Sequence, residues 1–86
     1  MQINFSKTFS KQYNKAPQRI QQAFDKRFKM FVKNPFDSIL NNHLLKGTLK
    51  GYKSINVTGD WRAIYLQINF RITVFEVLGT HSQLYK

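Results

Sequence analysis

The feature that most constrains this chain is a single change of hydrophobic period near Asn34-Pro35. A period near 3.6 buries one face of a helix and a period of two buries one face of a strand, so the pattern places helices first and a sheet second. Ile20, Phe24, Phe28 and Phe31, with Ala23 beside them, make one apolar stripe after Pro17, a residue suited to the first turn of a helix. Large side chains at that spacing read as core. The helix should end near Lys33 or Asn34, because Pro35 disfavours helical geometry in the residue before it and supplies no backbone donor. A loop is expected through Asn42. The basic side chains Arg19, Lys26, Arg27, Lys29 and Lys33 are predicted to form a solvated outer face.

Upstream, Ile3 and Phe5 alternate with polar neighbours as in a short strand, and Ser6 is placed to cap a brief helix carrying Phe9 and Tyr13 on one face. Downstream, Ile55 and Val57 alternate with Ser54 and Asn56, and Thr58-Gly59 turns tightly into a second strand over 61–66. Another turn containing Asn69 leads to a last strand over 71–78, rich in β-branched and aromatic residues. The expected architecture is an α+β fold in one domain over 1–86. It has a small antiparallel sheet in β-α-α-β-β-β order, with two N-terminal helices packed on one face and the other face free. Ile55 and Val57 should point to the helices and Ser54 and Asn56 to the free face, where a function would sit.

Charge narrows the partner. On 86 residues, 14 Lys and Arg stand against 4 Asp and Glu, a formal net charge of +10. Such a surface attracts polyanions, so a nucleic acid, an acidic protein or both are the expected partners. With no cysteine and only His43 and His81 as imidazoles, no metal and no cofactor are expected. The N-terminus has no signal-peptide pattern and no run reaches the length of a membrane span, so a cytoplasmic location without membrane partners is expected.

The residues that carry chemistry are few. The stretch Gly79-Thr80-His81-Ser82-Gln83-Leu84-Tyr85-Lys86 places a histidine and an aromatic ring just past the last strand. In Asp60-Trp61-Arg62, alternation would set Asp60 and Arg62 on one face, either as a structural ion pair or as a guanidinium oriented towards phosphate. His43, Lys46 and Lys50 lie at the entrance to the meander, where antiparallel geometry can bring them over the sheet towards His81 and Tyr85. That inventory suits metal-free cleavage of RNA, in which the ribose 2′-hydroxyl is the nucleophile and the protein moves protons and holds charge. His81 would handle a proton, Arg62 and Lys46 would hold phosphate, and Tyr85 would stack on a base.

At His43-Leu44-Leu45-Lys46-Gly47, Lys50-Gly51-Tyr52, Asp60-Trp61, Ile64-Tyr65, Gly79-Thr80-His81 and Leu84-Tyr85, the chain resembles the RelE/ParE superfamily of bacterial toxins. The resemblance is closer to its YafQ-like branch of ribosome-dependent mRNA interferases and covers about His43 to Tyr85. It implies a toxin of a type II toxin-antitoxin system, with a RelE-like fold and a metal-independent endoribonuclease activity that cuts messenger RNA on the ribosome and inhibits translation. It also implies an antitoxin partner that wraps around the toxin; the cation-rich surface makes that partner an acidic one, partly disordered when free, and a toxin that is monomeric alone and enters a higher-order complex is expected. By the same resemblance His81 is similar to the principal catalytic histidine, Asp60 to the active-site aspartate, His43 to a supporting histidine and Tyr85 to the terminal aromatic. Arg62 is similar to the phosphate-binding arginine of the wider RelE group, and Lys46, Lys50 and Asn56 complete the expected substrate-binding set. Where YafQ-like enzymes carry an aspartate and a histidine before the hairpin turn, this chain has Ser54 and Asn56. Two readings remain beside cleavage: a ParE-like inhibitor of DNA gyrase on the same fold, and a non-catalytic RNA- or ribosome-binding module.

Overall fold

The computed structural model describes residues 1–85; Lys86, the last residue of the terminal motif, lies outside the described residues. The chain runs through β1 (Gln2–Phe5), α1 (Lys7–Lys15), α2 (Gln18–Lys33), β2 (His43–Leu44), β3 (Lys53–Asn56), β4 (Trp61–Gln67), β5 (Ile72–Thr80) and α3 (His81–Leu84). Two 3-10 turns, Ser38–Leu40 and Gly47–Leu49, flank β2. The five strands form one sheet in the order β1-β5-β4-β3-β2. The α+β class and the two-helix start agree with the sequence. The short strand β2 and the terminal turn α3 are additional to the expected order.

The helices start where the side chains allow. Ser6 Oγ accepts from the Phe9 amide at 2.9 Å and so caps α1, while the same hydroxyl donates to the Glu76 carbonyl at 2.7 Å. Pro17 stands at the N-cap of α2, and its carbonyl accepts from Ile20 and Gln21. The α2 stripe is buried as expected: Ile20, Phe24 and Phe31 are all within 3% of full burial, and Phe28 packs at the edge of the core. Phe75 is the centre of this core, with the rings of Phe5, Phe9, Phe24, Phe28, Phe31 and Tyr65 at centroid distances of 5.3 to 5.9 Å. Stacked, tilted and edge-to-face pairs of this kind add to the burial of apolar area.

Two features of the sheet depart from expectation. β1 lies parallel to β5, in the register Gln2↔Ile72 to Phe5↔Phe75, so the sheet is mixed and not wholly antiparallel. Alternation reports which face a strand buries and carries nothing about its neighbour or direction. The β4–β5 register also shifts between Ile64 and Tyr65: Ile64 pairs with Val77 and Tyr65 with Phe75, which skips Glu76. This irregularity lets Phe75 and Leu78, three residues apart, both face the core.

The expected outer face of α2 also needs correction at Arg27. Its Nη1 donates to the Ile39 carbonyl at 3.0 Å and to the Asn56 carbonyl at 3.4 Å, tying α2 to the following loop and to β3. A long side chain can lay its stem on apolar surface and spend its head on backbone carbonyls, so helix position alone did not mark it.

Candidate active site

On the face of the sheet away from α1 and α2, the registers His43↔Ser54↔Ile64 and Asn56↔Arg62↔Gly79 set one continuous surface across four strands. Ile55, Val57 and Ala63 alternate with these residues into the core, so burial of the apolar set fixes the presentation of the polar one. That face is not free along its whole length. Thr80 caps α3 by accepting from the Gln83 amide, and the Gln83 side chain returns a bond to the Thr80 amide at 2.9 Å, a reciprocal capping box. Residues His81–Leu84 of the terminal stretch thus form one helical turn folded back against the sheet. Its Tyr85 hydroxyl donates to Ser54 Oγ at 3.2 Å.

A cleft of about 340 Å³ opens there, lined by Asn41, His43, Leu45, Arg62, His81 and Tyr85. Four of the residues expected in the site, His43, Arg62, His81 and Tyr85, therefore meet. His81 begins α3; its amide donates to the Asp60 carbonyl at 2.8 Å, and its ring lies 4.7 Å from the Tyr85 ring at 53°. His43 reaches the cleft from edge strand β2, just after Asn41 turns the chain with a left-handed φ of 47°. Asparagine tolerates that conformation better than most residues with a Cβ. His43 Nδ1 lies 2.7 Å from the Asn41 carbonyl, which can only accept. The proton of a neutral His43 is therefore on Nδ1, and Nε2 carries the lone pair.

Arg62 is held by backbone. Its Nη1 donates to the carbonyls of Thr58, Gly59 and Trp61 at 3.0, 2.9 and 3.2 Å, which leaves Nε and Nη2 without an acceptor among the described residues. A guanidinium fixed on one side and open on the other suits a bidentate oxyanion. The expected partnership with Asp60 is not formed. Asp60 lies in the four-residue bend before β4 and not on the strand, so alternation does not govern its side chain, and its contribution is the carbonyl that accepts from His81.

The remaining expected residues stand outside the cleft. Lys46 and Lys50 are exposed on the loop between β2 and β3, which Gly47 and Gly51 shape with φ of 69° and 95°. They raise the local positive potential without lining the cleft. Asn56 is Arg62's cross-strand neighbour on β3; its carbonyl accepts from Arg27, and its side-chain Oδ1 is buried without a hydrogen-bond partner among the described residues. Asn41 and Leu45 line the cleft and were not anticipated. The readable signal was the Asn41-Asn42 pair in a loop, a composition that favours a left-handed turn.

The family described as "Bacterial toxin of type II toxin-antitoxin system, YafQ" matches residues 1–86. The chain belongs to the YafQ toxin family. The mRNA interferase toxin YafQ of Escherichia coli K12 is 30% identical over 87 residues, covering 96% of this chain and 94% of that protein. The crystal structure of YafQ from E. coli BL21(DE3) superposes with a TM-score of 0.83 at 27% identity, covering 99% of this chain and 98% of that one. The YafQ chain of the E. coli DinJ-YafQ toxin-antitoxin complex gives 0.80 at 27% identity, with 99% and 97% covered. A YoeB/ParE toxin from Agrobacterium tumefaciens, 18% identical with a TM-score of 0.77, shares the fold; 94% of this chain and 99% of that one are covered. This YafQ-family toxin contains no helix, among the described residues, long and apolar enough to cross a membrane.

Proposed function

We propose that this toxin is an mRNA endoribonuclease that cuts message on the ribosome without a metal ion. The observation that carries the reading is the meeting of His43, Arg62, His81 and Tyr85 in one cleft. Cleavage of RNA by its own 2′-hydroxyl needs one group to accept the hydroxyl proton, one to protonate the departing 5′-oxygen, and a cation for the phosphorane. His43, with its Nε2 lone pair set by Asn41, suits the first role and His81 the second. The open edge of Arg62 holds the non-bridging oxygens, and the 2′-oxygen–phosphorus bond forms as the phosphorus–5′-oxygen bond breaks, leaving a cyclic phosphate. Lys46 and Lys50 supply long-range attraction to phosphate rather than contacts in the cleft. Asp60 acts through its carbonyl on His81.

The partner that neutralises such a toxin is an acidic antitoxin, since a surface at +10 favours an anionic segment that orders on binding. Support comes from the DinJ antitoxin, which accompanies YafQ in the E. coli complex. The test is cleavage of message in programmed ribosomes, mapped at the A site in the presence of a chelator, with wild type and His81→Ala. Chelator-resistant cuts that fall about a hundredfold or more in the variant are expected, the range for loss of a general acid or base. Intact message with tightly bound toxin would overturn the reading in favour of a non-catalytic binder.

A further inference from the structure

We propose that Ser54 is a positioning residue for His81, acting through the Tyr85 hydroxyl; the proposal rests on His81 being the proton-handling group of the cleft. Ser54 is completely buried, although it lies on the polar face of β3 and not in the aromatic core. It stands at the meeting point of both arms of the cleft. Across the sheet its register partner is His43, and above it the Tyr85 hydroxyl donates to its Oγ at 3.2 Å. Tyr85 in turn packs its ring against the His81 imidazole at 4.7 Å.

A helix of four residues has no stability of its own, because nucleation fixes several residues for very few hydrogen bonds. The orientation of His81 therefore depends on what fastens the far end of α3 to the sheet, and the Tyr85–Ser54 bond does so from the residue just past the turn. A serine is small enough to let the ring lie over β3. A larger side chain there would lift it. Tyr85 thus has a task besides any stacking on a base, and that task requires its hydroxyl.

The experiment compares Ser54→Ala, Tyr85→Phe and the double variant. Two readouts are used: His81 imidazole C–H resonances in the free protein, and kcat and KM for ribosome-dependent cleavage. The Tyr85 ring current should displace the His81 resonances in the wild type, and the displacement should shrink equally in both single variants. A hydroxyl bond at 3.2 Å is at the weak end of its kind, so kcat should fall about two- to fivefold with KM unchanged. The double variant should be no worse than either single one, since both remove the same bond. Tyr85→Phe reads that bond from the solvent side if Ser54→Ala folds poorly. Unchanged His81 resonances in both variants would overturn the proposal, as would a rise in KM at constant kcat. Because the resonances are read without RNA, they decide the coupling even if the wild type fails to cut message.

Discussion

Replacing Gly79 by alanine should loosen α3 while a matched replacement of Gly59 should not. Neither glycine has a φ in the left-handed region, so alanine is strained at neither position by its backbone. In both cases the unfolded chain loses freedom, which stabilises the fold by about 0.4–1 kcal/mol. The difference lies in the space around the new methyl group. At Gly59 nothing comes within 4 Å of a Cβ. At Gly79 it would stand 3.0 Å from Gln83 Oε1, 3.1 Å from Leu84 Cδ2 and 3.4 Å from Leu84 Cγ. Leu84 can swing aside, but Gln83 Oε1 is the acceptor of the Thr80 amide at 2.9 Å, so its retreat opens the capping box.

Overpacking of that kind costs about 1–3 kcal/mol. Set against the gain in the unfolded state, Gly79→Ala should be destabilised by about 1 kcal/mol, and Gly59→Ala should be neutral to slightly stabilised. For a domain of this size 1 kcal/mol corresponds to about 4–8 °C in Tm. The assay is thermal unfolding of both variants, paired with hydrogen exchange at the Tyr85 amide, which donates to the His81 carbonyl at 3.0 Å. Faster exchange at Tyr85 in Gly79→Ala alone is expected. Equal melting temperatures for the two variants, with Tyr85 protected as in the wild type, would refute the close-approach argument.

The remaining predictions concern the core, the site and alkaline pH. Phe75→Ala should cost about 3–5 kcal/mol by urea denaturation, since it empties the position on which six rings converge. Arg62→Lys should lower ribosome-dependent cleavage about tenfold or more with little loss of stability, because an ammonium cannot bond the turn carbonyls and offer a second donor edge together. Burial raises the Tyr65 pKa, an effect the bond from its hydroxyl to Asn42 at 2.9 Å partly opposes. A raised value in the fold means that stability is fully present below about pH 10, where unfolded tyrosine ionises, and is lost as pH rises through the folded value. Urea midpoints should therefore favour the wild type over Tyr65→Phe at pH 8, and the gap should close above pH 10.

What was legible in the sequence is what local pattern determines. The α2 stripe, the Ser6 cap and the Asn69 turn each depend on residues a few positions apart, and each formed as read; in β3 Ile55 enters the core as expected, but Ser54, expected on a free face, is buried beneath Tyr85. The parallel β1–β5 pair, the skipped Glu76 and the Arg27 tie depend on partners remote in sequence, for which no local period exists. The terminal turn falls between these cases. Thr80 and Gln83 have the spacing of a capping box, a legible signal, but the contacts that hold so short a turn against the sheet, from His81 to the Asp60 carbonyl and from Tyr85 to Ser54, are remote in sequence.

The same division explains the site. His43, Arg62 and His81 sit on β2, β4 and α3, and strand register decides whether they meet. A slip of one residue between β3 and β4 would turn Arg62 towards the helices and Ala63 towards the cleft. It is prevented by the burial of Ile55, Val57 and Ala63, none of which touches the chemistry. Asp60 lies just outside this control, in the bend where alternation ends, and so the expected pair with Arg62 does not form, while Arg62, two residues on, lines the cleft. Residues on paired strands inherit their positions from the core, whereas those in turns take theirs from local hydrogen bonds such as the one from the Asp60 amide to Thr58 Oγ1.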